Sequence, residues 1–476
     1  MNKVRTRFAP SPTGFMHIGN LRTALYCYLY AKKNKGAFIL RIEDTDQERQ
    51  VENAVETIYK TMQLAGMQHD EGPDVGGDFG PYVQSERKEV YARYAKELVA
   101  KGHAYYCFCT KERLDTLMDS DTGNRRYDKH CLHLTKEEIA ENLAAGIPYV
   151  IRQNVPLDGT TTFSDLVYGD ITVDNKELQD NVLLKSDGLP TYNFANVVDD
   201  HLMAISHVFR GMEYLSSTPN YNLLYQAFGW QLPQYIHLPH IMRDKQHKLS
   251  KRDGDANFED FLNKGFLPDA ILNYVSLLGW NPKNDREKFT LDELVEHFDI
   301  AGISKSPAIF DEVKLRWLNS LYIKELPFAT FQSQASTYYN SVTVPLEPTL
   351  LGQLLQSRIS AFSDIPATLQ FIDRFDAYDL ELFEHSGSKS SKELAKSILP
   401  TVIAATEKVE SWNNELLFET FVKVGEQFSL KNKQLLWIIR IAITGHASTP
   451  GGATEICVLL GKELTLKRLK ASLERL

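Results

Sequence analysis

From the N-terminus to Ile42, apolar and polar positions run in the order strand, loop, helix, strand. Val4 to Ala9 reads as a strand, followed by the loop Pro10-Ser11-Pro12-Thr13-Gly14. Leu21, Leu25, Tyr28 and Leu29 recur at i, i+4, i+7 and i+8, which puts them on one face of a helix packed against a sheet. Lys32, Lys33 and Lys35 then lead to Gly36, a natural stop. Ala37 to Ile42 is nearly continuously apolar, as a parallel strand covered on both faces must be, and it ends in Glu43-Asp44-Thr45-Asp46. This βαβ unit places carboxylates at the carboxyl end of a strand, the edge at which open α/β sheets bind ligands.

Near Gly80-Pro81 the pattern changes, and Ile147 to Asn154 and Val182 to Lys185 read as short strands of an inserted domain. The α/β pattern resumes at Thr191-Tyr192-Asn193-Phe194 and at Ile205 to Phe209, so the first domain is expected from two separated segments. A mostly helical remainder starts near residue 255. From about residue 321 the helical period dominates, as at Leu466, Leu469, Leu473 and Leu476. No internal repeat or low-complexity tract is visible.

Composition narrows the class. The 476 residues suggest about three domains at roughly 150 residues each, and 43% hydrophobic with 24% charged residues excludes a disordered or collagen-like chain. A net charge of −9 argues against a protein that coats DNA nonspecifically, but leaves nucleic-acid binding by local Lys and Arg clusters open. The N-terminus carries no apolar signal region and no apolar run reaches membrane length, so a soluble, cytoplasmic protein is expected. Five cysteines fit a reducing compartment better than a disulfide framework.

Three motifs carry chemistry. His17-Ile18-Gly19-Asn20 lies where the Pro/Gly loop meets the first helix, so an imidazole and backbone N–H groups face the positive end of a helix dipole, which suits a polyphosphate. The plainer reading is a helix-capping loop. Lys248-Leu249-Ser250-Lys251-Arg252, with Arg243, Lys245 and His247 before it, is either a solvated charge run or a clamp on a developing pyrophosphate charge. Cys107-Phe108-Cys109 and Cys131-Leu132-His133 offer three thiolates and one imidazole, a chemically sound tetrahedral zinc site, the alternative being reduced, unliganded cysteines. Cys27 and Cys457 read as core residues.

The His17 and Lys248 motifs, in this order and separated by an insertion, resemble the class I aminoacyl-tRNA synthetases. Closer resemblance, to the bacterial glutamyl-tRNA synthetases, rests on Arg7 to Gly14, Arg41 to Asp46, Asp70 to Asp74, Leu184 to Gly188, Pro190-Thr191-Tyr192, Asn196 to His201 and Lys248 to Arg252, and it covers essentially the whole chain. The fold it implies is multidomain α/β + α. A Rossmann-like parallel-sheet catalytic domain (1–80 and 187–254) holds an inserted α+β acceptor-end domain (81–186). A stem-contact helical domain (255–320) and an all-α anticodon-binding region (321–476, with a subdomain boundary near 375) follow.

The resemblance implies ATP-dependent activation of L-glutamate to glutamyl-adenylate, then transfer to the terminal ribose of tRNA(Glu), with Mg²⁺ sharing the phosphate charge. His17, Lys248 and Lys251 are the implied catalytic residues, and Pro10, Thr13, Gly19 and Ile241 join them around ATP. A dicarboxylate amino acid needs two cations and an anion, which Arg7, Arg210 and Glu43 supply. Glu43 faces the α-ammonium and Arg210 the γ-carboxylate, with Ala9, Ser11, Tyr192 and Asn196 as walls. Glutamine would leave a buried guanidinium uncompensated, a loss of about 3 to 5 kcal/mol.

Family members with zinc resemble the Cys107, Cys109, Cys131, His133 insert, and in some of them a Tyr placed as Tyr127 is stands near the metal. Arg358 matches an Arg that reads the last anticodon base. Trp437, with Lys431, Lys433, Arg440 and Lys467-Arg468, reads as a solvated face around a core Trp or as a base-stacking surface. A monomer is expected. A relaxed enzyme that also charges tRNA(Gln) is the nearest alternative.

Overall fold

The computed structural model describes residues 3–46, 51–117, 126–249, 256–375 and 378–476. The expected first unit forms as β1 (Arg5–Phe8), α1 (Ile18–Lys33) and β2 (Ala37–Leu40), with β1 and β2 parallel from Arg5↔Ala37 to Phe8↔Leu40. All four residues of β2 are buried, which is why this strand lacks the alternation of a half-exposed one. Leu21, Leu25 and Leu29 are buried on α1, and Lys32 and Lys33 occupy its last turn, where cations suit the helix dipole.

Helix α2 (Lys88–Ala100) precedes β3 (Ala104–Cys107), which pairs antiparallel with β4 (Val150–Gln153). Next come β5 (Thr160–Asp165), β6 (Gly169–Asp174) and β7 (Val182–Leu184), the last pairing with β4. Helix α3 (Tyr192–Leu202), β8 (His207–Gly211), α4 (Thr218–Phe228) and β9 (Gln234–Leu238) complete the second half. Strands β8 and β9 are parallel with Arg210 opposite His237, and the Ser206 N–H donates to the Arg5 carbonyl (3.0 Å), setting β8 beside β1.

Where the α/β pattern was expected to resume, Thr191 to Phe194 starts a helix, with Thr191 as the residue before its first turn. One detail departs from the sequence reading. The β5–β6 hairpin, which falls within the expected insert, joins β9 instead, Asp165 lying parallel to Tyr235. Its inward positions are Thr161, Phe163 and Asp165, a mostly polar set that gives no apolar alternation to read.

The chain divides into two compact units. One comprises residues 1–261 and 271–311, the other residues 262–270 and 312–476. The span 255–320, expected as a helical domain of its own, is therefore shared between them. Among its described residues the second unit is helical throughout, with one core running through Leu351, Leu399, Ile438 and Leu469. Its last helical stretch, Ala453–Arg475, breaks at Gly461, whose φ of 77° is left-handed and suits glycine. Among the described residues no helix is long and apolar enough to cross a membrane.

Candidate active site

A cleft of about 360 Å³ opens in the first unit beyond the carboxyl ends of β1, β8 and β9. Its walls include Arg7, Ala9, Pro10, Ser11, Thr13, His17, Gly19, Glu43, Tyr192, Arg210, Ile241 and Lys248. Residues expected around amino acid and nucleotide thus meet in one place although they are scattered along the chain. Two expected residues stand apart. Asn196 sits one helical turn after Tyr192, donates its side-chain amide to the Tyr192 carbonyl (2.7 Å) and is buried behind the cleft wall. Lys251 lies outside the described residues.

His17 is the N-cap of α1, with extended backbone (φ −63°, ψ 142°), and its Nδ1 accepts the Gly19 N–H at 3.0 Å. A Cβ on Gly19 would come within 3.3 Å of that nitrogen, so glycine here spares the imidazole as well as keeping the cleft open. The Pro loop is laced to the end of β2: Arg41 N–H donates to the Phe8 carbonyl (3.0 Å) and Glu43 N–H to the Pro10 carbonyl (3.0 Å). Across the cleft, Asp244 accepts the N–H groups of Gln246 and His247 (both 2.9 Å), closing a turn that brings Lys248 back beside Met242. Lys248 is exposed at the cleft wall.

Arg7 and Glu43 belong to a buried charge network that the sequence reading missed. Arg7 Nε and Arg41 Nη1 both donate to Asp200 Oδ1 (2.9 and 2.8 Å), and Arg41 Nη2 donates to Glu43 Oε1 (2.9 Å). Behind them, Arg87, Gln84 and Tyr91 donate to Asp199 at 2.8 to 2.9 Å. Burial pushes the Asp200 carboxyl up, but Arg7 and Arg41 outweigh it and hold the group below the usual aspartate range. Glu43 goes the other way, since burial raises its pKa further than Arg41 and Arg7 lower it.

Asp200 therefore stabilises the folded state above the unfolded aspartate value of about 3.9, a contribution lost as acid titrates it through its lower folded value. The Asp200→Asn variant keeps an acceptor for both guanidinium groups but removes the charge between them. It should lose about 2 to 3 kcal/mol in urea unfolding at neutral pH and show a flatter acid limb of stability.

Arg210 is arranged differently. It is 5% exposed, its Nε donates to His237 Nε2 (3.1 Å), its Nη2 donates to Thr218 Oγ1 (2.9 Å), and no carboxylate among the described residues pairs with it. Tyr221 and Tyr235 lie 4.6 and 5.1 Å from its guanidinium carbon, so aromatic faces replace water around the charge. A buried cation at a cleft wall with no counter-ion among the described residues is a seat for an anionic group. Of the two arginines Arg7 and Arg210 that line this cleft, Arg7 arrives neutralised and Arg210 does not.

A model of the catalytic domain of tRNA synthetases class I (E and Q) matches residues 3–317, and a model of the anticodon binding domain matches residues 317–473. The chain belongs to the class I tRNA synthetases (E and Q). Among its synthetase relatives, a glutamate–tRNA ligase of Clostridium botulinum (strain Eklund 17B) is 55% identical over 480 residues, covering 100% of this chain and 99% of the relative. One of Clostridium tetani is 55% identical over 479 residues, covering 100% and 98%.

A solved glutamate tRNA ligase from Elizabethkingia meningosepticum, in complex with its amino acid, superposes with a TM-score of 0.88 at 33% identity, covering 99% of each chain. The glutamate-tRNA synthetase of Elizabethkingia anophelis gives 0.90 at 33% identity, covering 99% and 100%. The expected architecture, a parallel-sheet synthetase domain followed by a helical anticodon region, is the one found. As a class I synthetase the chain is a ligase that takes ATP as substrate.

The thiol cluster of this synthetase gathers three of the four residues expected in it. Cys107, Cys109 and Cys131 bring their sulfurs within 4.8 Å of one another. His133 is exposed and stands outside the group, at the end of a 3₁₀ turn over residues 130–133 that begins beside the buried Cys131. Tyr127 packs against the thiols: the hydroxyl lies 3.3 Å from Cys107 Sγ and 3.4 Å from Cys109 Sγ, and it accepts the Cys131 N–H (3.1 Å). Arg152 Nε donates to Cys107 Sγ (3.3 Å) and Arg113 Nη1 to Cys109 Sγ (3.5 Å). Hydrogen bonds from the Cys131 thiol, then Tyr127 and Arg152, lower the Cys107 pKa, while the same pairing raises that of Cys131, so the thiolate settles on Cys107.

In the helical unit, Arg358 is exposed at the end of the helix Pro348–Gln356, near enough to Arg440 to lower the latter's pKa after burial has done most of it. One face of Trp437 is covered by the His385 ring at 3.9 Å, and its Nε1 donates to the Leu382 carbonyl (3.0 Å). The core reading of that Trp fits these contacts better than a free stacking surface.

Proposed function

We propose that this synthetase is a glutamate–tRNA ligase, which joins L-glutamate to ATP as glutamyl-adenylate and passes it to the terminal ribose of tRNA(Glu). The observation that carries the reading is the convergence of Arg7, Glu43 and uncompensated Arg210 on the cleft that holds the His17 turn. Full-length relatives at 53 to 55% identity that are glutamate–tRNA ligases support it.

In this reading Arg210 takes the γ-carboxylate, Glu43 the α-ammonium and Arg7 the α-carboxylate. Because Asp200 already balances Arg7, that guanidinium acts mainly as a directed donor. Ammonium binding beside Glu43 would add a further cation to those Arg41 and Arg7 already supply and so oppose the rise that burial gives its pKa. Ala9 and Ser11 form the near wall and Tyr192 the far one, with Asn196 bracing the Tyr192 backbone.

ATP lies along Pro10, Thr13, His17 and Gly19, with its adenine by Ile241. Lys248 and Lys251 face the phosphates, so that the glutamate carboxylate attacks the α-phosphorus and pyrophosphate leaves. No enzyme nucleophile is required: the site contributes position and charge. Mg²⁺ entering with the triphosphate would share the phosphate charge that Lys248 and Lys251 face. Residues 81–186 receive the acceptor end of the tRNA, 255–320 its stem, and 321–476, with Arg358, its anticodon.

Cys107, Cys109, Cys131 and Tyr127 hold a structural Zn²⁺, for which three sulfurs and one oxygen give the four donors. Metal analysis of protein purified without chelator should find about one zinc per chain, lost on Cys109→Ser; less than about half an equivalent would count against the metal. The function itself is tested by ATP–pyrophosphate exchange with glutamate against glutamine, and by charging of purified tRNA(Glu) and tRNA(Gln). Charging of both would mark a relaxed enzyme.

A further inference from the structure

We propose that His237 and Asp165 form a buried relay that aims Arg210 at the distal carboxylate of the substrate, making His237 a positioning residue for selectivity toward an acidic side chain. The inference rests on the reading of Arg210 as the group that binds that carboxylate. Neither His237 nor Asp165 lines the cleft, so each acts only through Arg210.

The three residues lie on adjoining strands β5, β9 and β8, with side chains almost wholly out of solvent. Asp165 Oδ2 lies 2.7 Å from His237 Nδ1 and also accepts the His237 backbone N–H (3.0 Å). Arg210 Nε, always a donor, lies 3.1 Å from His237 Nε2, so that nitrogen must accept and the ring proton must sit on Nδ1. The tautomer is thus fixed from both ends.

Asp165 is pinned in turn: its Oδ1 accepts the N–H groups of Val167 (2.9 Å) and Tyr168 (2.8 Å). Thr218 Oγ1 accepts from Arg210 Nη2 while giving its own proton to the Tyr214 carbonyl (2.8 Å). One edge of the guanidinium is therefore fully engaged, and its remaining donors are left for a ligand in the cleft. Substrate carboxylate then meets a fork whose plane and direction are already set, which lowers the ordering cost of binding.

Protonating His237 would break this arrangement, because its Nε2 would become a donor facing another donor. Burial holds the His237 pKa down. Of the charged groups around it, Asp165 on β5 and Glu213 after β8 oppose that, and Arg210 on β8 reinforces it, leaving the ring neutral. The Tyr235 ring on its own strand packs 6.2 Å away.

The test compares His237→Phe, His237→Gln and Arg210→Leu in the full-length enzyme, with tRNA present. His237→Phe removes the acceptor and should raise KM for glutamate about tenfold or more, with kcat and KM for ATP changed less than about threefold. His237→Gln can still accept from Arg210 with its oxygen and donate to Asp165 with its nitrogen, so it should recover most of the loss. An unchanged glutamate KM in folded His237→Phe, beside a large effect of Arg210→Leu, overturns the relay alone. No effect of Arg210→Leu overturns the reading of Arg210, and the relay with it.

If His237→Phe does not fold, ¹⁵N-histidine NMR of the unaltered protein decides the point. The relay requires His237 to carry its proton on Nδ1 at about pH 7; an Nε2-protonated or cationic ring contradicts it.

Discussion

Arg210→Leu should lower kcat/KM for glutamate about a thousandfold while leaving the fold intact. The guanidinium is buried among tyrosines, is held at Nε and Nη2, and has no carboxylate of its own among the described residues. A bound γ-carboxylate would be its counter-ion, and removing one member of a buried pair costs about 3 to 5 kcal/mol, or two to more than three decades in rate. Stability should not fall with activity, because the substitution deletes an uncompensated buried charge from the empty protein. Steady-state exchange kinetics beside a thermal melt separate the two effects. A loss below about tenfold, or an equal loss for glutamate and glutamine, would remove Arg210 from the role.

Lys251→Ala should cut adenylate formation by about two to three orders of magnitude with little change in KM for glutamate. Two lysines separated by Leu249-Ser250 would supply charge to phosphoryl oxygens as the pyrophosphate leaves, and such charge stabilises the transition state more than the ground state. Lys248 is at the cleft wall, at the end of a turn closed by Asp244. Pre-steady-state quench measurements of adenylate formation read the step directly. Near-normal rates, or a rise confined to glutamate KM, would assign the loop to something other than phosphate chemistry.

How much of this could be read from the sequence depended on whether a residue's partner was close along the chain. β1, α1 and β2 follow from period and punctuation alone, since Leu21, Leu25 and Leu29 are buried at the positions the helical repeat predicts. The β5–β6 hairpin did not, because its inward residues include Thr161 and Asp165, and its pairing with β9 spans a long stretch of chain.

The site shows the same division. Arg7, Glu43 and Arg210 were identified by motif and by the charge of a dicarboxylate, and they line one cleft. That Asp200 neutralises Arg7, and that His237 and Asp165 stand behind Arg210, are long-range contacts with no local spacing to betray them. Asp199-Asp200 inside an otherwise buried helix was the available signal, as paired acids there need buried cations. His133 shows a local limit: a C-x-H spacing looks like a ligand pair, but residues 130–133 form a 3₁₀ turn with His133 exposed and outside the thiol group.

The most direct measurement of the central claim is ATP–pyrophosphate exchange with purified tRNA(Glu) present, run with glutamate and with glutamine. Exchange with glutamate exceeding that with glutamine by about a hundredfold or more in kcat/KM is the predicted result. Equal exchange with both amino acids, or none with glutamate, would contradict it.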